Sequence, residues 1–208
     1  MNDTEGKIAK GYPLKTFDAL YHVGEMNPGE KKSATGLPVT TEPDAWKRMW
    51  KLSGSLYELT KENHAFLDFY RLTKKEKKEI EKWGLEQGYL KITDVYRVSW
   101  YDDEYDRNVT LDFTNKEDAE KETLECGYSA RVREVKKYET TAKMDAKVQY
   151  PSLSPSIAIE LLTTLFADEV LHIDGVWWDK NLNIIQLSAP EGSICPSKIP
   201  EWSKHLVG

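Results

Sequence analysis

An α+β domain is the fold class this sequence predicts, and three stretches point to it. Leu20 to Trp50 places a short apolar run, a polar loop, a second β-prone run and a helix start within one segment. Leu90 to Trp100 alternates and is rich in β-branched and aromatic residues, and Asn108 to Phe113 returns as the second arm of a hairpin. Thr73 to Trp83 has a helix former at most positions and a capping signature at its start.

A chain of 208 residues can bury one sizeable core, so the expected organisation is a lead-in over 1–16 and a single domain over 17–208. A helical and hairpin subregion falls at about 55–125. With 39% hydrophobic and 31% charged residues the composition is that of a globular protein with a wet surface. The formal charge of −6 argues against a general affinity for nucleic-acid backbone, although a local basic patch is compatible with it. Cys126 and Cys195 are far apart and have no histidine at metal spacing, which indicates neither a disulfide framework nor a metal site. The acidic start, Met1 to Glu5, has no apolar leader, and no run is long enough to span a bilayer. The expectation is a cytoplasmic protein without membrane contact.

In chain order, residues 1 to about 16 are polar and read as loosely held. Leu20 to Val23 is an apolar strand that carries His22 near its end and runs into Gly24, where bare backbone allows positive φ or a close approach. Leu37 to Thr41 is the second β-prone run, and Thr41 can cap a helix with Pro43 and Asp44 in its first turn. That helix lays Trp46 and Trp50 on one face, a stripe that reads first as core. Ser55 to Phe69 mixes signals and receives no assignment, with His64 read as a surface or capping residue. In the helix from Thr73, lysines and glutamates interleave at helical spacing, the pattern of a solvated face, and Gly84 is available near its end.

The four carboxylates of Asp102 to Asp106 read as an exposed acidic turn, because a calcium loop would need a glycine that is absent there. Asn115 to Glu125 is a short helix entered through Thr114, and Ser129 to Tyr138 is another strand. The Pro/Ser-rich stretch at 150–156 breaks the chain before an apolar helix opened by Ser154 or Ser156. Val170 to Asp179 has a buried-strand pattern carrying carboxylates beside Gly175 and two tryptophans. Residues 179–183 give a turn, Ile184 to Pro190 a returning strand, and Glu191 to Ile194 a tight exit.

Two of these segments resemble the ADP-ribosyltransferase superfamily. Tyr21-His22-Val23-Gly24 and Gly36-Leu37-Pro38-Val39-Thr40-Thr41, then Ala45, are similar to its first two strand motifs. Asp174-Gly175-Val176 is similar to a late strand of many members. Three positions depart from the pattern: Val23 stands at the usual glycine, Gly24 at the usual threonine and Pro38 at the usual aromatic. Ile184, Ile185 and Gln186 occupy the returning strand where the family often has glutamate.

The resemblance implies a split β-sheet core with helices packed around it, and NAD as substrate. It implies that His22 bonds a ribose hydroxyl, that backbone at Val23 or Gly24 holds the carboxamide and that Thr40 or Thr41 completes the ribose contacts. An aromatic among Trp46, Trp50 and Tyr57 would cover the nicotinamide. The catalytic candidates are Asp179 first, then Asp174 and Gln186, with a turn or capping role as the bland account of Asp174. The implied activity is mono-ADP-ribosylation of a macromolecular target, a protein before a nucleic acid, by a factor of phage or mobile-element type acting on a host component. Two alternatives stand beside it: a non-catalytic inhibitor of a host protein on a transferase-like scaffold, and an NAD glycohydrolase.

Overall fold

The computed structural model describes residues 11–24, 36–51, 53–127, 129–148, 155–178 and 191–207. They form a mixed α+β structure in two compact units, Met1–Tyr89 with Ala142–Gly208, and Leu90–Thr141. The subregion expected at about 55–125 is therefore divided: residues up to 89 belong to the first unit, and 90–125 join the strand that follows them in the second.

Strands are numbered along the chain. The first unit holds β1 (Leu14–Lys15), β2 (Leu20–Val23), β3 (Leu37–Thr40), β4 (Leu56–Thr60), β5 (Phe66–Asp68), β9 (Gly175–Trp177), β10 (Glu191–Ile194) and β11 (Ser203–Val207). They make one curled sheet in the order β1-β5-β9-β10-β3-β2-β4-β11, parallel between β5 and β9 and antiparallel elsewhere. One face gathers Leu20, Val39, Leu59, Phe66, Trp177, Ile194 and Trp202 into the core. Residues from both halves of the strand order meet in that cluster, so the curl is what closes it. On the other face of β2, Val23 packs against Trp46 of helix α1 (Pro43–Trp50).

Several local expectations are corrected. The lead-in is held from Tyr12 onward: Leu14 and Lys15 pair with Leu67 and Phe66, and the Asp68 amide donates to Pro13 O. The Tyr12 hydroxyl donates to Glu79 at 3.0 Å, and burial, then that carboxylate, push its pKa up to about 12. At α1 it is Thr40, not Thr41, whose hydroxyl accepts the Glu42 amide, at 3.0 Å. His64, expected as a surface or capping residue, is half-buried and bonded on both nitrogens: its Nδ1–H donates to Lys61 O at 2.6 Å and its Nε2 accepts the Phe17 amide at 2.8 Å.

Helix α2 (Lys74–Glu86) opens with the capping box read from the sequence. The Glu76 amide donates to Thr73 Oγ1 and the Thr73 amide to Glu76 Oε2. Its exposed lysines pair with glutamates one turn on, Lys75 with Glu79 and Lys82 with Glu86. Gly84 does not end it; that glycine is buried inside the helix, and Gly88, at φ 69°, follows the cap. Replacing Thr73 with alanine should cost about 1 kcal/mol, read as a lower thermal midpoint; an unchanged midpoint would show that the box contributes nothing.

After α4 (Ala142–Val148), α5 (Pro155–Phe166) continues through a π turn, Ala167–Leu171, into a stretch expected to be strand. A short buried apolar run suits helix or strand equally, and here the helix extends until His172, at φ 52°, ends it. Strand β9 thus begins only at Gly175. Glu191 to Ile194, expected as a tight exit, is strand β10, paired on one side with β9 and on the other with β3. The turn at 179–183 and the strand at 184–190 lie outside the described residues.

The second unit is a three-stranded antiparallel sheet, β7-β6-β8, of β6 (Leu90–Asp102), β7 (Arg107–Phe113) and β8 (Arg131–Thr140). Helix α3 (Lys116–Glu125) links β7 to β8 and is capped by Asn115, not Thr114, whose side chain accepts the Asp118 amide. Tyr96, Val98 and Trp100 share one face with Leu111, Phe113 and Val132, and Val98 is fully buried there.

Candidate functional site

His22 sits on β2, on the same face as Leu20, and is 7% exposed. Its Nδ1 lies 2.8 Å from Pro38 O. A carbonyl can only accept, so Nδ1 carries the proton. Strands β2 and β3 are bridged at one residue pair, Tyr21 with Thr40, and the imidazole ties the next stretch of β3 through that side-chain bond. The ring leans back over Gly24, where a Cβ would come within 3.3 Å of Nε2.

Gly24 is needed by the backbone itself. At φ 139° its amide donates to Ser55 O at 2.9 Å, and a Cβ on Gly54 would stand 3.2 Å from Gly24 Cα. Directly across from His22 on β4 is Tyr57, half-buried on the same face. Tyr57, one of the three aromatics named for the nicotinamide, thus lies beside the histidine.

The other candidates are placed differently. The Val23 side chain points to the opposite face, against Trp46, so only its backbone is available on the His22 side. Trp46 is 5% exposed on that opposite face and its indole N–H donates to Glu191 Oε2 at 3.2 Å. Thr40 is fully buried, its oxygen committed to the start of α1. Thr41 is half-buried beside it, and Trp50 ends α1. Asp179 and Gln186 lie outside the described residues.

Asp174 precedes β9 and is 5% exposed. One carboxylate oxygen accepts Lys61 Nζ at 2.5 Å, and the other accepts the Ala65 amide at 2.9 Å. Its own amide donates to Ala65 O, and its carbonyl accepts the Cys195 amide. Lys61 also pairs with Glu201 at 2.5 Å. Burial pulls the Lys61 pKa down, but the two carboxylates together outweigh it and raise it above the ordinary lysine value. Hydrogen bonding from Lys61 holds Glu201 below the usual glutamate range. Asp174 is therefore a brace that ties β9 to the β4–β5 connection. Lys61 and Glu201 carried no signal in the sequence, being 113 and 27 residues from Asp174.

Register nevertheless collects the resemblance-bearing segments. Gly175 lies opposite Ile194, which lies opposite Leu37 at the start of β3. Since β2 runs antiparallel to β3, its His22 end finishes where β3 begins. The Asp174-Gly175 segment, Gly36 and the His22-Gly24 segment thus reach the same end of four neighbouring strands.

No cluster of potential metal ligands occurs among the described residues. Two of the acidic turn's four carboxylates are used internally: Asp102 accepts the Glu104 and Tyr105 amides, and Asp106 accepts the Tyr101 hydroxyl. A surface depression of about 450 Å³ runs along α2 beside Lys74, Lys75, Lys78, Glu79 and Lys82. No helix among the described residues is long and apolar enough to cross a membrane. Compared with family models, curated proteins and solved structures, the chain matches none.

Proposed function

We propose that the chain is an NAD-dependent mono-ADP-ribosyltransferase with a protein acceptor, its curled mixed sheet standing for the split sheet the resemblance implies. The observation that carries the reading is the convergence just described. Segments some 150 residues apart, chosen for their resemblance, are strand neighbours in the order β9-β10-β3-β2. The seam between β2 and β3 is held by the His22 imidazole.

In this reading NAD runs along the sheet from the His22–Gly24 end toward the end where β3 leads into Thr41 and β9 leads through Trp178 toward Asp179. The glycosidic bond between nicotinamide and ribose breaks, nicotinamide leaves with the bonding pair, and a nucleophile of the acceptor forms the new bond to the same ribose carbon as it gives up its proton. Positive charge gathers on the ribose in between, and Asp179 is the carboxylate assigned to stabilise it. Gln186 is the polar alternate. His22 and Thr41 would bond ribose hydroxyls, backbone at Val23 and Gly24 the carboxamide, and Tyr57 would cover the ring.

One observation favours a second reading, a non-catalytic binder on the same scaffold. The carboxylate of Asp174, buried next to the late glycine, is spent on Lys61 and Ala65. Incubation with NAD decides between them. Label transfer from NAD to lysate protein, falling on the order of 100-fold in Asp179→Asn at an unchanged thermal midpoint, supports the transferase. Nicotinamide release without lysate would make it a glycohydrolase, and silence in both assays would leave the binder.

A further inference from the structure

The second unit separates its charges. Helix α3 carries Glu117, Asp118, Glu120, Glu122 and Glu125 against Lys116 and Lys121, and the hairpin tip is acidic. The sheet face that carries Arg97 has the opposite sign. Cross-strand register aligns Arg97 with Arg133 and Asp112, Ser99 with Arg131 and Thr110, and Thr93 with Lys137. Partners directly opposite share a face, so these side chains all project from one side.

On that face Asp112 is held by two cations: Arg97 grips it with two bonds, 2.7 and 3.1 Å, and Lys137 lies 3.1 Å away. The Arg97 bond keeps the Asp112 pKa below the ordinary aspartate value, so the carboxylate stays charged and still leaves one cation in excess. Lys91 and Glu139 cancel at 3.2 Å. Arg131 and Arg133 are exposed on the edge strand and make no ion pair among the described residues. Five cations against two carboxylates leave the face at +3.

We propose that this face docks the phosphate backbone of a nucleic-acid duplex. Two guanidinium groups without carboxylate partners offer planar donor pairs that match phosphate oxygens. Ser99, Thr110 and Asn108 add neutral hydrogen-bonding groups on the same side. A single strand would need a series of exposed aromatic rings for its bases, and this face carries one, Tyr101, at the hairpin end of β6. The acidic tip and helix confine the contact to this one side, which reconciles it with a net charge of −6. The inference is independent of the transferase reading.

The test is fluorescence anisotropy of the full chain with a labelled 20-base-pair DNA duplex. Three neutralised phosphates give a log-affinity against log-salt slope of about −2.7, or about 40-fold weaker binding at 200 mM than at 50 mM salt. Arg131→Glu with Arg133→Glu takes the face from +3 to −1 and should remove that binding, while Lys116→Glu with Lys121→Glu, an equal change of net charge on α3, should leave it intact. Should the first pair fail to fold, Arg131→Gln with Arg133→Gln leaves +1 and should flatten the slope to about −0.9. No binding at 50 mM salt, equal weakening by both reversals, or preference for a polyglutamate peptide over the duplex would overturn the proposal.

Discussion

Asp174→Ala is expected to destabilise the first unit by about 3 kcal/mol, a fall of about 6–12 °C in its thermal midpoint. The change strips Lys61 of one of its two carboxylates and leaves the Ala65 amide without its acceptor. Glu201 stays on Lys61, which is why the loss stops short of that for an orphaned buried ion. Asp174→Asn keeps an oxygen for Ala65 and should cost less. The raised Lys61 pKa fixes the pH sense: its contribution is complete below the ordinary lysine pKa and disappears as pH rises through the higher folded value. The depressed Glu201 pKa acts at the acid end, where its contribution fades as pH falls through that value. If Asp174→Asn instead abolishes NAD turnover at an unchanged midpoint, Asp174 is the catalytic carboxylate and not a brace.

Gly175→Ala should be as damaging, at about 3 kcal/mol in a denaturant titration. A Cβ there would press into the Ser193 carbonyl and the Phe66 ring, with Phe66 Cδ1 at 2.7 Å. Neither can step aside: Ser193 is locked between β9 and β3 by paired backbone, and Phe66 is fully buried on the adjoining strand. The glycine of the late motif thus has a packing reason that holds whether or not NAD binds. A Gly175→Ala protein with an unchanged midpoint would show that the strands can separate enough to admit a methyl group.

The elements legible in the sequence are those whose causes are local. The capping box at Thr73 needs three residues of spacing, and the 90–113 hairpin and β8 announce themselves by alternation, since period-two patterning and turn chemistry act between near neighbours. Where a short apolar run fits two periods, as at Val170-Leu171, sequence reasoning chose strand and the chain continued α5. The candidate site was legible only as motifs. That His22 would meet Pro38 and face Tyr57 followed from strand pairing, and that Trp46 would lie on the opposite face followed from the pleat.

The alternation of β-prone and helical segments settled the α+β class, and local capping settled where α2 begins. Tertiary structure alone decided the β5–β9 parallel pairing, the Lys61–Asp174 brace and the Trp46–Glu191 bond, whose partners stand 113 and 145 residues apart. Contacts at that separation depend on how the sheet curls and which strands become neighbours, and no period or cap in a local window carries that information.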